Sequence, residues 1–236
     1  MNLTKIALPI VTIGLLTGCK VSDKAPGVWY GVAFDNATGN YSEVAMFITE
    51  LGETRISTTS GFYLAGPGFF DGDIIYSLPL SNYGSTDFTS VSYDTQLLVT
   101  GEFTDAGVSL EIKDEDEVVQ NLDLIRSTDA VATQAQYAGS WYANPHAPDP
   151  AYTWLIDENG NIGGNDELGC LYSGKVTASD TINVAELNLV ITECVYEGAY
   201  HGIMSLFLSP NSDRIGIFYN YSNLENIFVN GLEKIL

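Results

Sequence analysis

Basic residues are scarce in this chain: nine Lys and Arg stand against 30 Asp and Glu, a formal net charge of −21. A field of that sign repels phosphate backbones, which excludes a nucleic-acid partner. Histidine is nearly absent, so any imidazole base or ligand must be His146 or His201. There are three cysteines and no Cys-x-x-Cys pair, and the two histidines lack His-x-x-x-His spacing, so the usual zinc patterns are missing. No nucleophile elbow occurs, and paired carboxylates in so acidic a chain carry no information about glycoside hydrolysis. Helix signals are nearly absent. With 45% hydrophobic and 17% charged residues, 14 Tyr and 10 Phe, the chain has the material for packed cores and is not of the disordered class.

What the chain does have is an ordered start. Lys5 gives a positive beginning, Ile6 to Leu16 is apolar, and the small residues Thr17 and Gly18 precede Cys19, which reads as an export signal. The apolar run is about half of the roughly 20 residues a spanning helix needs, and Pro9 interrupts it. Leu16-Thr17-Gly18-Cys19 resembles the lipobox of bacterial lipoproteins. The resemblance implies a signal peptide over residues 1–18, a tether over 19–26, and a mature N-terminus at Cys19. It also implies diacylglycerol on the Cys19 sulfur and an N-acyl chain of the palmitate type on its amine, with no further cofactor. Two or three acyl chains anchor stably, so the membrane is the first expected partner. In the Gram-negative members of that family Asp after the cysteine favours the inner membrane. Lys20 stands here, which implies the outer membrane, with the mature chain periplasmic or surface-facing. The alternative is an ordinary secretory peptide cut nearby, leaving a free cysteine.

If Cys19 carries lipid, Cys170 and Cys194 remain, and an even pair in an oxidising compartment reads as a disulfide. The alternative is a metal site that recruits His146 and His201.

The chain also repeats. Gly27-Val28-Trp29-Tyr30 returns as Gly139-Ser140-Trp141-Tyr142, an offset of 112 residues. Looser echoes follow in order: Phe70 to Ile75 against Tyr172 to Thr177, and Glu102 to Ile112 against Ser205 to Ile217. Two β domains are expected, over 27–126 and 139–236, joined by the small, polar stretch 127–138 as a linker or one short helix. Within each half the hydrophobic period is two, as in Glu43 to Thr49, Thr95 to Thr100 and Thr181 to Ile191. Turn residues recur at short intervals, among them Ser81 to Gly84, Asp105 to Gly107 and Glu158 to Asn161. The fold class predicted is all-β: two tandem small antiparallel barrels or sandwiches.

At Gly-x-Trp-Tyr both halves resemble the opening strand of lipocalin-like barrels, in which the Trp plugs one end. That family's later motifs have no counterpart here, so its ligand cavity is not carried over. The second half is similar to a group of uncharacterised Gram-negative envelope proteins, through Gly169-Cys170-Leu171-Tyr172-Ser173-Gly174, Asn183, Cys194 and Gly198-Ala199-Tyr200-His201-Gly202. This similarity implies a small barrel held by a Cys170–Cys194 bridge, and no known activity.

Among candidate sites, Asp157, Asn159 and Asn161 place oxygens at alternate positions like the start of a calcium loop. Ile162 and Leu168 stand where an EF-hand needs Gly and Glu, and a hairpin turn on Asn159-Gly160 is the competing reading. Asp114-Glu115-Asp116-Glu117 reads as a solvated hairpin tip. His201, near Glu193 and Glu197, could serve a serine such as Ser173 in a hydrolase. Trp154, Tyr219 and Tyr221 are the candidates for an exposed binding surface. The expectation is a non-catalytic binding or structural role in the envelope. An inhibitor or carrier for a protein or a small apolar ligand is the first alternative, and an envelope hydrolase the second.

Overall fold

The computed structural model describes residues 24–60, 62–68, 70–71, 74–84, 92–115, 117–143, 152–208, 215–223 and 226–234. Cys19, the expected export segment before it, and His146 lie outside them. The first unit runs through β1 (Gly27–Asp35), β2 (Tyr41–Ile48), β3 (Glu53–Thr58), β4 (Phe62–Pro67), β5 (Phe70–Asp71), β6 (Ile74–Gly84), β7 (Ser92–Phe103), β8 (Val108–Asp114) and β9 (Glu117–Arg126). A single turn of helix, α1 (Gln134–Tyr137), leads into β10 (Gly139–Ala143), β11 (Tyr152–Ile156), β12 (Asn161–Asp166), β13 (Leu171–Ala178), β14 (Ala185–Thr192), β15 (Gly198–Leu208), β16 (Ile215–Ser222) and β17 (Ile227–Lys234).

Alternation makes these strands. In β14 Ala185, Leu187, Leu189 and Ile191 are buried while Asn188, Val190 and Thr192 face out, and β8 buries Val108, Leu110 and Ile112 in the same way. All ladders are antiparallel. The first sheet has the order β4-β3-β2-β1-β9-β8-β7-β6-β5, and β4 also pairs with the far end of β6, so the sheet curls back on itself. The second unit, β10 through β17, is a closed barrel. Curling and closure both remove long free edges, which would otherwise recruit other chains.

The two units carry the same opening device. Trp29 pairs in register with Arg126, and Trp141 with Lys234. Each cation lies over its indole, at 5.8 Å and 5.4 Å from the ring. Each indole N–H donates to the carbonyl four residues earlier, Ala25 at 2.9 Å and Tyr137 at 2.7 Å. Gly27 and Gly139 share a φ near +138°, at 139° and 137°, a conformation that side chains strain to adopt. The duplication is therefore structural as well as sequential.

Three expectations need correction. Phe70 and Asp71 form β5 and Ile74 and Ile75 begin β6, whereas Tyr172 to Thr177 lies in β13; by order of pairing the counterpart of β13 is β4. Ser81 to Gly84, expected as a turn, ends β6, because ladders to both β4 and β7 hold it extended against its turn propensity. Thr181 to Val184, expected in a strand, precedes β14: the Ser179 hydroxyl accepts the N–H groups of Thr181 and Ile182, and Asn183 Nδ2 donates to the Leu206 carbonyl at 2.7 Å.

Each unit has its own core, one around Trp29, Met46, Leu64 and Phe103, the other around Trp141, Trp154, Leu187 and Tyr219. A further apolar cluster joins them, with Val28 and Phe47 of the first meeting Ile182, Val184 and Ile203 of the second. Phe47 stacks on Phe218 with centroids 5.1 Å apart and planes 10° off parallel. This contact explains why Met46, Phe47 and Ile48 are all buried instead of alternating.

Candidate functional site

One end of the second barrel is walled with aromatic rings. In β11 the inward positions are Tyr152, Trp154 and Ile156; in β16 they are Ile217, Tyr219 and Tyr221; β13 adds Tyr172, β15 adds Tyr200 and β17 adds Phe228. The rings touch their neighbours in turn: Tyr152 and Tyr172 edge to face at 4.8 Å, Trp154 and Tyr219 at 4.9 Å, and Tyr221 and Phe228 stacked at 5.1 Å. They enclose a cup of about 190 Å³, lined by Tyr152, Tyr172, Tyr196, Tyr219, Tyr221 and Phe228, with Asp166, Glu167 and Leu168 toward its edge. Cavities near 150 Å³ hold a benzene molecule, so the cup suits a ligand head of about one ring.

The rim is fixed from several sides. Asp166 accepts the backbone N–H groups of Leu168 at 2.9 Å and Cys170 at 3.0 Å through one oxygen, and the Tyr172 hydroxyl at 2.7 Å through the other. Cys170 is disulfide-bonded to Cys194, which ties this loop to the Val195-Tyr196 loop. Tyr200 donates to the Tyr196 carbonyl at 2.8 Å, holding the second loop down in turn. Leu168 and Val195 stand 65% and 88% exposed on these two loops, leaving apolar groups in solvent beside the opening.

Electrostatically the cup is neutral inside and acidic at the edge. Burial, reinforced by the neighbouring phenols, pushes the Tyr152 and Tyr221 hydroxyls well above their usual range. Burial and then the bond to Asp166 do the same for Tyr172. The phenols of Tyr152, Tyr172 and Tyr221 thus stay protonated at physiological pH. Among the described residues, neither Lys nor Arg lines the cup.

These positions revise the expectation for Trp154, Tyr219 and Tyr221. They are not an exposed surface; all three are buried, as the inward parity of β11 and β16 requires. Trp154 lies over Gly164, where a Cβ would fall 2.7 Å from its Cδ1. Its indole N–H has no partner among the described residues. Tyr152, Tyr172, Tyr196 and Tyr200 join them without a motif to mark the group; Tyr152, Tyr172 and Tyr200 share the inward parity of their strands, and Tyr196 comes from the loop before β15.

Asp157, Asn159 and Asn161 form a hairpin turn between β11 and β12. The Asp157 carboxylate already accepts the backbone N–H groups of Asn159 at 2.9 Å and Asn161 at 2.8 Å, and Asn161 Nδ2 at 2.7 Å. Those bonds, the Asn161 side chain first, lower its pKa, and Gly160 turns the chain at φ +83°. The carboxylate oxygens are used by the turn.

A second concavity, about 760 Å³, opens where the two units meet. It is organised by Arg55, 4% exposed on β3, which no motif marked. Its guanidinium donates to Asn220 Oδ1 at 3.2 Å, to the Ser222 hydroxyl at 2.7 Å and to the His201 carbonyl at 2.9 Å, all in the other unit. It also pairs with Glu53 at 2.6 Å. The His201 ring bonds Glu53 through Nε2 and Asn188, at 3.0 Å, through Nδ1, so both nitrogens are engaged away from Ser173.

No family model, curated protein or solved structure matches this chain significantly.

Proposed function

We propose that the chain is a lipoprotein tethered to the outer membrane through acylated Cys19, and that it acts by binding a small ligand in the cup of its second barrel rather than by catalysis. The observation that carries the binding reading is the cup itself: a wall of neutral aromatic side chains under a rim stapled by Cys170–Cys194. Pockets that hold small molecules combine an apolar lining with a few placed polar groups, and here the polar groups are phenols and one carboxylate. A preformed rim lowers the ordering cost of binding. The engagement of His201 by Glu53 and Asn188 supports the non-catalytic reading. The tether is supported by Leu16-Thr17-Gly18-Cys19 and by the strong negative charge, which keeps the exported part soluble beside the membrane.

Intact mass of the protein extracted from envelope membranes tests the tether. A chain beginning at Cys19 with three acyl chains is expected; retained residues 1–18, or a different mature start, would refute it. Binding is tested by titrating the acylated chain, in maltoside micelles, with small neutral aromatic alcohols such as benzyl alcohol and watching the buried tryptophan and tyrosines.

A further inference from the structure

We propose that the cup selects an organic cation, a small methylated ammonium group, over neutral or anionic ligands of the same size. This rests on the reading of the cup as a binding site and adds its ligand class.

Three features converge. First, Tyr152, Tyr172, Tyr196, Tyr219, Tyr221 and Phe228 all border one space. Aromatic faces carry negative potential, and a cation within about 6 Å of several ring centres is attracted to each, most strongly where water is excluded. Secondly, the charges at the edge are of one sign. Asp166 and Glu167 border the cup without a Lys or Arg among its described lining. Asp166 is fixed in place by three donors. Among the described residues a carboxylate or phosphate ligand would meet two carboxylates and no counter-charge, while an ammonium would meet the opposite sign. Thirdly, the whole chain is at −21, a field that concentrates cations and speeds their arrival.

Size and chemistry narrow the class. A volume of about 190 Å³ accommodates a group of roughly one ring, which fits a trimethylammonium head and excludes a bulky acyl ligand. The inner wall offers phenol hydroxyls that are already committed: Tyr152 and Tyr221 bond each other at 3.1 Å, and Tyr172 is bonded to Asp166. A primary ammonium is satisfied by three hydrogen-bond acceptors set around one nitrogen, whereas methylated nitrogen needs none and is held by aromatic rings.

The test is a titration of the full acylated chain in maltoside micelles with choline, with its uncharged isostere 3,3-dimethylbutan-1-ol, with phosphocholine and with benzyl alcohol. Choline is expected to bind about tenfold more tightly than the isostere, the size of a desolvated cation–π contribution. Phosphocholine is expected to bind more weakly than choline, because its phosphate faces the rim carboxylates; the reverse order would overturn the selection against anions. Two exposed rim variants keep the fold out of question. Glu167→Gln should weaken choline several-fold and leave the isostere unchanged. Leu168→Arg, which sets a cation at the opening, should do so more strongly. Equal or tighter binding of the isostere overturns the cation inference while the cup remains a binding site. If none of the four probes binds, both the inference and the binding reading fall.

Discussion

His201 of the second barrel and Glu53 of the first sheet are hydrogen-bonded across the junction between the units, 148 positions apart in the chain. Both belong to the cluster around Arg55, and both titrate from shifted positions. The bond to Glu53 raises His201 above its ordinary 6.5, with burial opposing and the charge of Glu53 reinforcing. Burial pushes Glu53 up, but the bond from His201 and the charge of Arg55 outweigh it, so its pKa falls below the ordinary 4.5.

The signs define a window. The raised His201 contributes stability that is full below its unfolded pKa and is lost as pH rises through its folded value. The lowered Glu53 contributes stability present above its unfolded pKa and lost as pH falls through its folded value. The junction should therefore be tightest in mildly acidic solution, between the ordinary values of 4.5 and 6.5. It should slacken on either side, by no more than about 1 kcal/mol for so exposed a histidine. Thermal unfolding across pH 4 to 9 reads this, and His201→Gln should flatten the alkaline side. A profile unaffected by that change would contradict the assignment.

Arg55 has more at stake. Its guanidinium is almost fully buried and joins Glu53 to Asn220, Ser222 and the His201 carbonyl. Arg55→Met leaves Glu53 beside unpaired polar groups, a loss expected at about 3 kcal/mol. Urea unfolding followed separately by a probe in each unit should show one transition in the parent and two in the variant. Coincident transitions in the variant would mean that the apolar contact of Phe47 with Phe218 suffices.

The disulfide staples the rim of the cup, closing a separation of 24 residues. On the chain-entropy account its removal costs about 3 kcal/mol. Replacing Cys170 and Cys194 together by Ser should lower the urea midpoint accordingly and weaken ligand binding. Unchanged binding would show that Asp166 and its donors hold the rim unaided.

Gly139 sits at φ +137° with Lys234 at its back, 2.4 Å from where a Cβ would lie, whereas at Gly27 the nearest atom, on Arg126, is 3.2 Å away. Both Ala variants carry backbone strain of about 1–2 kcal/mol. Gly139→Ala should be the worse, because Lys234 must also move off the Trp141 ring. Equal losses in the two halves would assign the whole effect to φ.

Much of this architecture could be read from residues. The paired Gly-x-Trp-Tyr segments announced the duplication, since a positive-φ glycine beside a plug tryptophan leaves a local trace. The strict alternation of β14 did the same for a strand. The cup was hidden for a specific reason: in Phe218-Tyr219-Asn220-Tyr221 a shift of one residue exchanges the inward and outward sets, and register is set by pairing partners, not by the segment. In the fold Tyr219 and Tyr221 face the cup while Phe218 meets the first unit. Arg55 was hidden too, because a cation on a strand surface looks solvated until a second unit covers it.

The three indole N–H groups of Trp29, Trp141 and Trp154 give the most direct test of the cup as a ligand site. The first two donate to Ala25 and Tyr137, while Trp154 lies against the ring cluster of Tyr152, Tyr172, Tyr219 and Tyr221. In a nitrogen-15 NMR titration with choline and its neutral isostere, the Trp154 signal should move saturably while the other two stay still. A Trp154 signal that neither probe moves, or one that moves no more than those of Trp29 and Trp141, would contradict the account.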